Sequence, residues 1–278
     1  MPNTLHVVHR GAKGHPPLLM IHGICASTRY WTERMGRLDE IFHCTIPDLL
    51  GHGKSPKPSG AKYDVHEHAD AMEPLLEQIV RRDRHPVSII AHSMGNIIAI
   101  ELRRRHPDLI GPIVGFGVPY FPTREAGHQA IEAINPFAKW TIADPWYARH
   151  LLGSARLSRG KVGFPWFHKN YGLPRDAWED GFMVTWDSLM GSIHNLILGS
   201  DIPGLLRAAG TRDITWWHGT HDVSAPFVYT QQLWSMFPEV PHHVVPGGTH
   251  NIWIFQNAEL SQAILPLLQG SEKVHRSP

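Results

Sequence analysis

The chain has 278 residues, 42% hydrophobic and 18% charged, with 26 basic against 25 acidic side chains and a formal net charge of +1. That length buries a full core, and that composition excludes a chain disordered over most of its length. The balanced charge gives no electrostatic footprint for nucleic acid or an anionic membrane, so neither is expected as a partner.

Cys25 and Cys44 are too few for a disulfide framework and lack the spacing of a zinc site. The first fifteen residues show neither a basic leader nor a continuous apolar run, and the longest apolar runs are strand-sized. A soluble, cytoplasmic protein is therefore expected. The 21 histidines invite a metal reading, but the spacings oppose it. His66 and His68 would point about 200° apart on a helix, His242 and His243 to opposite faces of a strand, and no H-E-x-x-H occurs. No metal and no cofactor is expected.

Taken in chain order, Leu5–His9 reads as an antiparallel edge strand, Pro17–His22 as a buried strand, Trp31–Glu40 as a helix and Phe42–Pro47 as a strand. The helix His66–Arg82, the strand Val87–Ala91, the helix Met94–Arg105 and the strand Leu109–Val118 follow. Arg103, Arg104 and Arg105 are expected to serve that helix's C-terminus and solvent. The rhythm resumes with strand Asp213–Trp217, helix Ala225–Phe237, strand Pro241–Val245 and helix Asn257–Leu268. Near-continuous apolar strands separated by helices predict an α/β fold, a mostly parallel sheet covered on both faces. Residues 119–203 break the rhythm and are rich in aromatics, glycine and proline. They predict an inserted helical lid within a core formed by 1–118 and 204–270, with 271–278 as a tail.

Open parallel sheets place ligands at strand ends. After the strand at 87–91 stands Ser93, in A-H-S-M-G, where strand period changes to helix period. A serine held on such a turn, beside a base and above backbone donors, becomes a nucleophile. His22-Gly23 follows an earlier strand, and its glycine lets the backbone approach a reacting group. Asp48–Ser55, with two glycines around His52, fails the phosphate-loop pattern and is read as structural. Asp222 and His250 each end a later strand. Asp222 by itself reads equally well as a helix cap. In the order Ser93, Asp222, His250 they supply a nucleophile, a carboxylate that orients a base, and the base.

With L-L-M-I-H-G (18–23), D-L-L-G-H-G-K-S (48–55), A-H-S-M-G (91–95), H-G-T-H-D-V-S-A-P (218–226) and G-G-T-H-N (247–251), the chain resembles the α/β-hydrolase superfamily, in its lid-bearing serine branch. The one departure is Ala91 in place of the usual first glycine. The resemblance implies Ser93 as nucleophile, Asp222 as acid, His250 as base, and the amides of Ile24 and Met94 as oxyanion donors. It implies hydrolysis of a small, largely apolar carboxylic ester. Cleavage of a C–C bond in a vinylogous diketone, or of a lactone or amide, are the alternatives within that chemistry. A small-molecule receptor is the alternative outside it. Arg29, Trp140, Trp146, Phe167, Trp186 and Trp253 are the candidate substrate contacts.

Overall fold

Seven strands form one sheet in the order β1 (Val7–Arg10), β3 (His43–Pro47), β2 (Pro17–Ile21), β4 (Val87–His92), β5 (Ile110–Phe116), β6 (Ile214–Gly219) and β7 (His242–Val245). The computed structural model describes residues 4–157 and 164–269. Only β1 is antiparallel, pairing Val7 with Pro47 and Arg10 with Cys44 at the sheet edge; every other pair is parallel. β2 and β4 are buried at every position, which explains their continuous apolar runs. Alternation survives as a division between two cores. Leu19 and Ile21 face the helices on one side, Leu18 and Met20 those on the other.

The helices of the N-terminal half are the single turns α1 (Arg29–Thr32) and α2 (Leu38–Ile41), then α3 (Val65–Asp83) and α4 (Met94–Arg105). Asp64 caps α3 by accepting the Glu67 N–H, while the Glu67 carboxylate accepts from Tyr63 N–H. The single helix expected at Trp31–Glu40 is broken into α1 and α2. Gly36 lies between them at φ +60°, where a Cβ would stand 2.3 Å from Ser261 Oγ. The expected fifth strand ends two residues early because Gly117 turns at φ +58°.

Between β5 and β6 the described residues form helices and no strand: α5 (Arg124–Ile134), α6 (Pro136–Ala143), α7 (Pro145–Leu157), α8 (Phe164–Tyr171), α9 (Arg175–Asp180), α10 (Trp186–Gly191), a π-helical turn (Ser192–Ile197) and α11 (Ile202–Ala209). α11 packs on α4 and joins the main core through Ile202 and Leu206, so the expected boundary after residue 203 falls inside a helix. α12 (Phe227–Met236) and α13 (Ile252–Leu268) complete the chain. α13 starts five residues before the expected Asn257, and its kink at Gln256 marks where regular helix period begins. The expected tail, 271–278, lies outside the described residues.

Arg103 is buried, donating to the carbonyls of Arg212 and Gly111. Arg104 and Arg105 clamp the buried Glu101 carboxylate. The triple arginine therefore serves the helix packing as well as its C-terminus, a correction to the solvent-facing expectation. Among the described residues no helix is long and apolar enough to cross a membrane.

The chain leaves β2 for β3 on one side and reaches β4 on the other, so the loops after β2 and β4 open into one crevice. Gly95 closes that crevice from below, since a Cβ there would stand 2.7 Å from the Ile21 carbonyl and 2.8 Å from that of His22. Gly95→Ala is expected to lower stability by about 1–3 kcal/mol through overpacking, measured as the urea unfolding midpoint. Gly153→Ala, where no described atom lies within 4 Å of the Cβ position, is the control. It should be neutral or stabilising by up to about 1 kcal/mol.

Candidate active site

Ser93 links β4 to α4 at φ 51° and ψ −124°, a conformation in which only glycine is comfortable. Its N–H donates to the Phe116 carbonyl at 2.9 Å. The Asn96 amide donates to the carbonyls of both Ser93 and Phe116. Ala91, in place of the usual glycine, is fully buried and paired in register with Ile21 and Gly115, so the turn accommodates its methyl group. The Met94 amide is the first of α4, on the positive end of that helix.

Asp222 follows β6 and divides its two oxygens. Oδ1 accepts from the N–H groups of Ser224 and Ala225, while Oδ2 stands 2.7 Å from His250 Nδ1. The cap reading is corrected: α12 starts at Phe227 with Pro226 at its N-cap, and Asp222 instead ties the turn that precedes the helix. Burial pushes its carboxyl up, but attraction from His250 and His218 and the backbone donors hold it below the usual carboxylate range. His218, which sequence reasoning passed over, lies 3.3 Å from the same Oδ2 and bonds to the Ala225 carbonyl.

His250 and Ser93 each lie beside the end of β5. A Cβ on Gly117 would lie 3.1 Å from His250 Nδ1, and Ser93 is bonded to Phe116 next to it. His92 joins the two loops, bonding through Nε2 to the His250 carbonyl at 2.9 Å, its ring 4.8 Å from that of His250. Burial first, then the neighbouring His250, push His92 down to about 3, so it is neutral and donates. Among the described residues the Ser93 hydroxyl forms no hydrogen bond. Ser93 as a residue is 4% exposed, and Asp222 and His92 are likewise buried.

The loop after β2 is fixed from two directions. His22 Nδ1 donates to the Gly23 carbonyl at 2.7 Å, and His22 Nε2 accepts from Leu49 N–H. A trans peptide sets its C=O and N–H in opposite directions, so tying down the Gly23 carbonyl also aims the Ile24 N–H away from His22. A Cβ on Gly23 would fall 2.9 Å from Ser93 Cβ, so this backbone lies against the serine. Asp48 accepts from Thr28 and Lys54 N–H groups, which gives the 48–55 loop its structural role. No residue pattern signalled the next contact: Asp180, at the end of α9, accepts from Ser27 Oγ at 2.6 Å across 153 residues of sequence.

The candidate substrate contacts separate. Arg29 is not free, pairing with Glu179 at 3.1 Å and Asp180 at 3.5 Å. Trp253 is a core residue, packed on Trp31 and Phe116 with its N–H on the Arg34 carbonyl. Trp146 is 70% exposed, and Trp140 packs edge-on against Tyr147. The side chain of Phe167 lies outside the described residues. Trp186 alone joins the apolar cluster of Ile131, Leu152, Val184, Leu189 and Ile193, against which Ile24 and Cys25 also pack. Burial pushes the Cys25 thiol up to about 12, so it stays protonated there.

Residues 16–145 match the family described as the alpha/beta hydrolase fold, and with the sheet order above the chain belongs to the α/β-hydrolase fold superfamily. It is 33% identical over 269 residues to a probable lysophospholipase, BODYGUARD 3, of Arabidopsis thaliana, covering 87% of this chain and 53% of that protein. The chain thus spans about half the length of the curated relatives it matches. In fold it is similar to E-2-(acetamidomethylene)succinate hydrolase, with TM-score 0.73, 19% identity and 95% of each chain covered. It is likewise similar to an esterase of Rhodococcus, with TM-score 0.71, 17% identity, and 96% and 94% covered.

Burial raises the Asp180 carboxyl to about 6, against the pull of Ser27 and Arg29, with Asp176 and Asp48 adding repulsion. A folded-state value above the unfolded one makes the native protein hold the extra proton between the two. Stability contributed by this group is therefore full below pH 3.8 and lost as pH rises to about 6. Asp180→Asn keeps an acceptor for Ser27 and cannot titrate. Its unfolding free energy relative to wild type is expected to rise by about 1–3 kcal/mol from about pH 4 to about pH 7, read from urea denaturation at both. A pH-independent difference would contradict the burial cost.

Proposed function

We propose that the protein is a serine hydrolase that cleaves carboxylic esters with an apolar acyl group through an acyl-enzyme on Ser93. The observation that carries this reading is the strained Ser93 turn beside the Asp222–His250 pair at 2.7 Å. No other buried serine among the described residues is held at positive φ.

In the forward half-reaction Ser93 Oγ bonds to the ester carbonyl carbon as its proton passes to His250 Nε2. Asp222 holds the ring by Nδ1 and steadies the imidazolium. Hydrogen bonds at such a nucleophile are often long or misaligned without substrate and tighten in the complex. The carbonyl oxygen becomes an oxyanion facing the amides of Ile24 and Met94, the first aimed by the His22–Gly23 bond and the second by the helix start. The C–O bond to the alcohol then breaks, and the alcohol leaves with the proton from His250. Water repeats the sequence and releases the acid.

The apolar acyl preference is supported by Ile24 and Cys25, which face the insertion's own cluster directly beside the oxyanion position. The name of the Arabidopsis relative, a probable lysophospholipase, points to the same substrate class, an ester of a long acyl chain. The insertion acts in this reading as a lid, and Trp186 is the aromatic residue retained as a substrate contact.

Ser93→Ala and His250→Ala are each expected to reduce ester turnover by on the order of 10⁴–10⁶. A fluorophosphonate should label wild type and not Ser93→Ala. Across p-nitrophenyl esters of increasing chain length, kcat/KM should rise at least about tenfold from acetate to a medium-chain acyl group. A preference for charged, polar esters would overturn the acyl assignment while leaving the nucleophile in place.

A further inference from the structure

Two imidazoles face the Asp222 carboxylate, and the reaction proposed above uses one of them. Beside His250 Nδ1 at 2.7 Å, His218 Nε2 stands 3.3 Å from the same Oδ2, on a side chain 1% exposed at the end of β6. Three oxygens surround that nitrogen: Oδ2, the Ala225 carbonyl at 2.8 Å and Thr230 Oγ1 at 3.3 Å. A carbonyl and a carboxylate only accept, so Nε2 carries the proton and donates it to Ala225. Nδ1 is buried without a partner among the described residues, so a second proton there would be left unbonded. The rings of Phe227 and Trp234 pack against the imidazole. Burial lowers its proton affinity, against the pull of Asp222 and the Ala225 carbonyl. His218 is therefore neutral, with its N–H edge set beside Oδ2.

We infer that His218 is a positioning residue for the ester reaction, acting through Asp222 to limit the basicity of His250; the inference rests on the serine reading above. Ala225 is gripped at both ends, its N–H on Asp222 Oδ1 and its carbonyl on His218, so the strand end fixes the turn that holds the carboxylate. The positive N–H edge beside Oδ2 offsets part of the negative charge that would otherwise act on the His250 cation alone. The other groups around this pair hold one protonation state across the neutral range. His92, against the His250 ring, is pushed down to about 3 by burial and then by His250, and burial likewise lowers His22 behind it. Tyr30, stacked on His92, is held well above its ordinary value by burial, against the pull of Arg34, and stays un-ionised. Arg34 is cationic and paired with Asp176.

The test is the pH dependence of kcat/KM on a p-nitrophenyl ester for wild type, His218→Phe and His218→Gln. Phenylalanine matches the ring in shape and offers no donor. It should move the acid limb up by about half a unit to one unit, so that acid-side kcat/KM falls about three- to tenfold. The two bonds on Oδ1 remain, so the plateau should fall by much less. Glutamine presents an N–H to the same acceptors and should return most of the shift. A role in packing alone would lower the thermal midpoint and leave the limb in place. A limb that stays or moves down in a folded, fluorophosphonate-labelled His218→Phe, or that glutamine does not restore, overturns the inference. If His218→Phe does not fold, imidazole nitrogen NMR of wild type decides, the His218 signals being those lost in His218→Gln. A proton on Nε2 and none on Nδ1 from about pH 5 to about pH 8 is expected, and a proton on Nδ1 overturns the inference. Wild type that a fluorophosphonate does not label would instead remove the serine reading, and this role with it.

Discussion

A serine held at positive φ is the constraint around which the rest of this structure is arranged. Such a conformation costs about 1–3 kcal/mol for a residue with a Cβ, and it persists only where neighbours over-determine it. Here the Ser93 N–H is bonded to Phe116, its carbonyl to the Asn96 amide, and glycines at 23 and 95 leave the space its turn occupies. Phe116 comes from the end of β5, Gly23 from the loop after β2, and Gly95 and Asn96 from the first turn of α4. The turn therefore depends on the register of β2, β4 and β5, which ties the fold and the site to the same contacts.

Histidines do much of the remaining bracing, and they do it neutral. His22 joins the loops after β2 and β3, His92 joins the turn to the His250 backbone, and His218 sits against Asp222. A neutral imidazole offers one donor and one acceptor, and His22 uses both to span two backbone segments where a lysine or arginine would bring a buried charge, while His92 and His218 bond through Nε2. Burial lowers the affinity of all three for a proton. The high histidine content that first suggests metal binding is, at these positions, spent on cross-bracing.

The parts of this design that lie within a few residues of a strand end were legible in the sequence. A-H-S-M-G, H-G and the two late motifs each announce a turn by local chemistry, α4 fell where period and composition put it, and the edge strand, expected at Leu5–His9, lies at Val7–Arg10. Features decided by what the insertion meets were not legible. Nothing in the chain tells that Asp180 meets Ser27 or that Arg29 is occupied by α9. Nor does it tell that Trp253 is in the core while Trp146 faces outward, because tryptophan has the same composition signal in either place. The break at Gly36 was missed for the same reason, since the steric limit is Ser261, on a helix more than 200 residues away.

The fastening of α9 to the β2 loop combines ion pairs of unequal strength with one carboxylate that opposes them. Arg29 and Glu179 are each about one-third exposed, and such a pair contributes about 0–1 kcal/mol. Arg34 holds Asp176 with two bonds in a drier setting and is the stronger tie. Asp180 works against both, because its carboxylate is ionised at neutral pH in a place that favours the protonated form. The net hold of charge on α9 is therefore small, and Ala177 of α9, with Leu173 just before it, adds apolar packing on the sheet core. The sheet core reaches into the insertion on both faces, taking Leu196, Ile202 and Leu206 on one and Leu173 and Ala177 on the other, so the insertion is anchored to the same layers that hold the turn carrying Ser93.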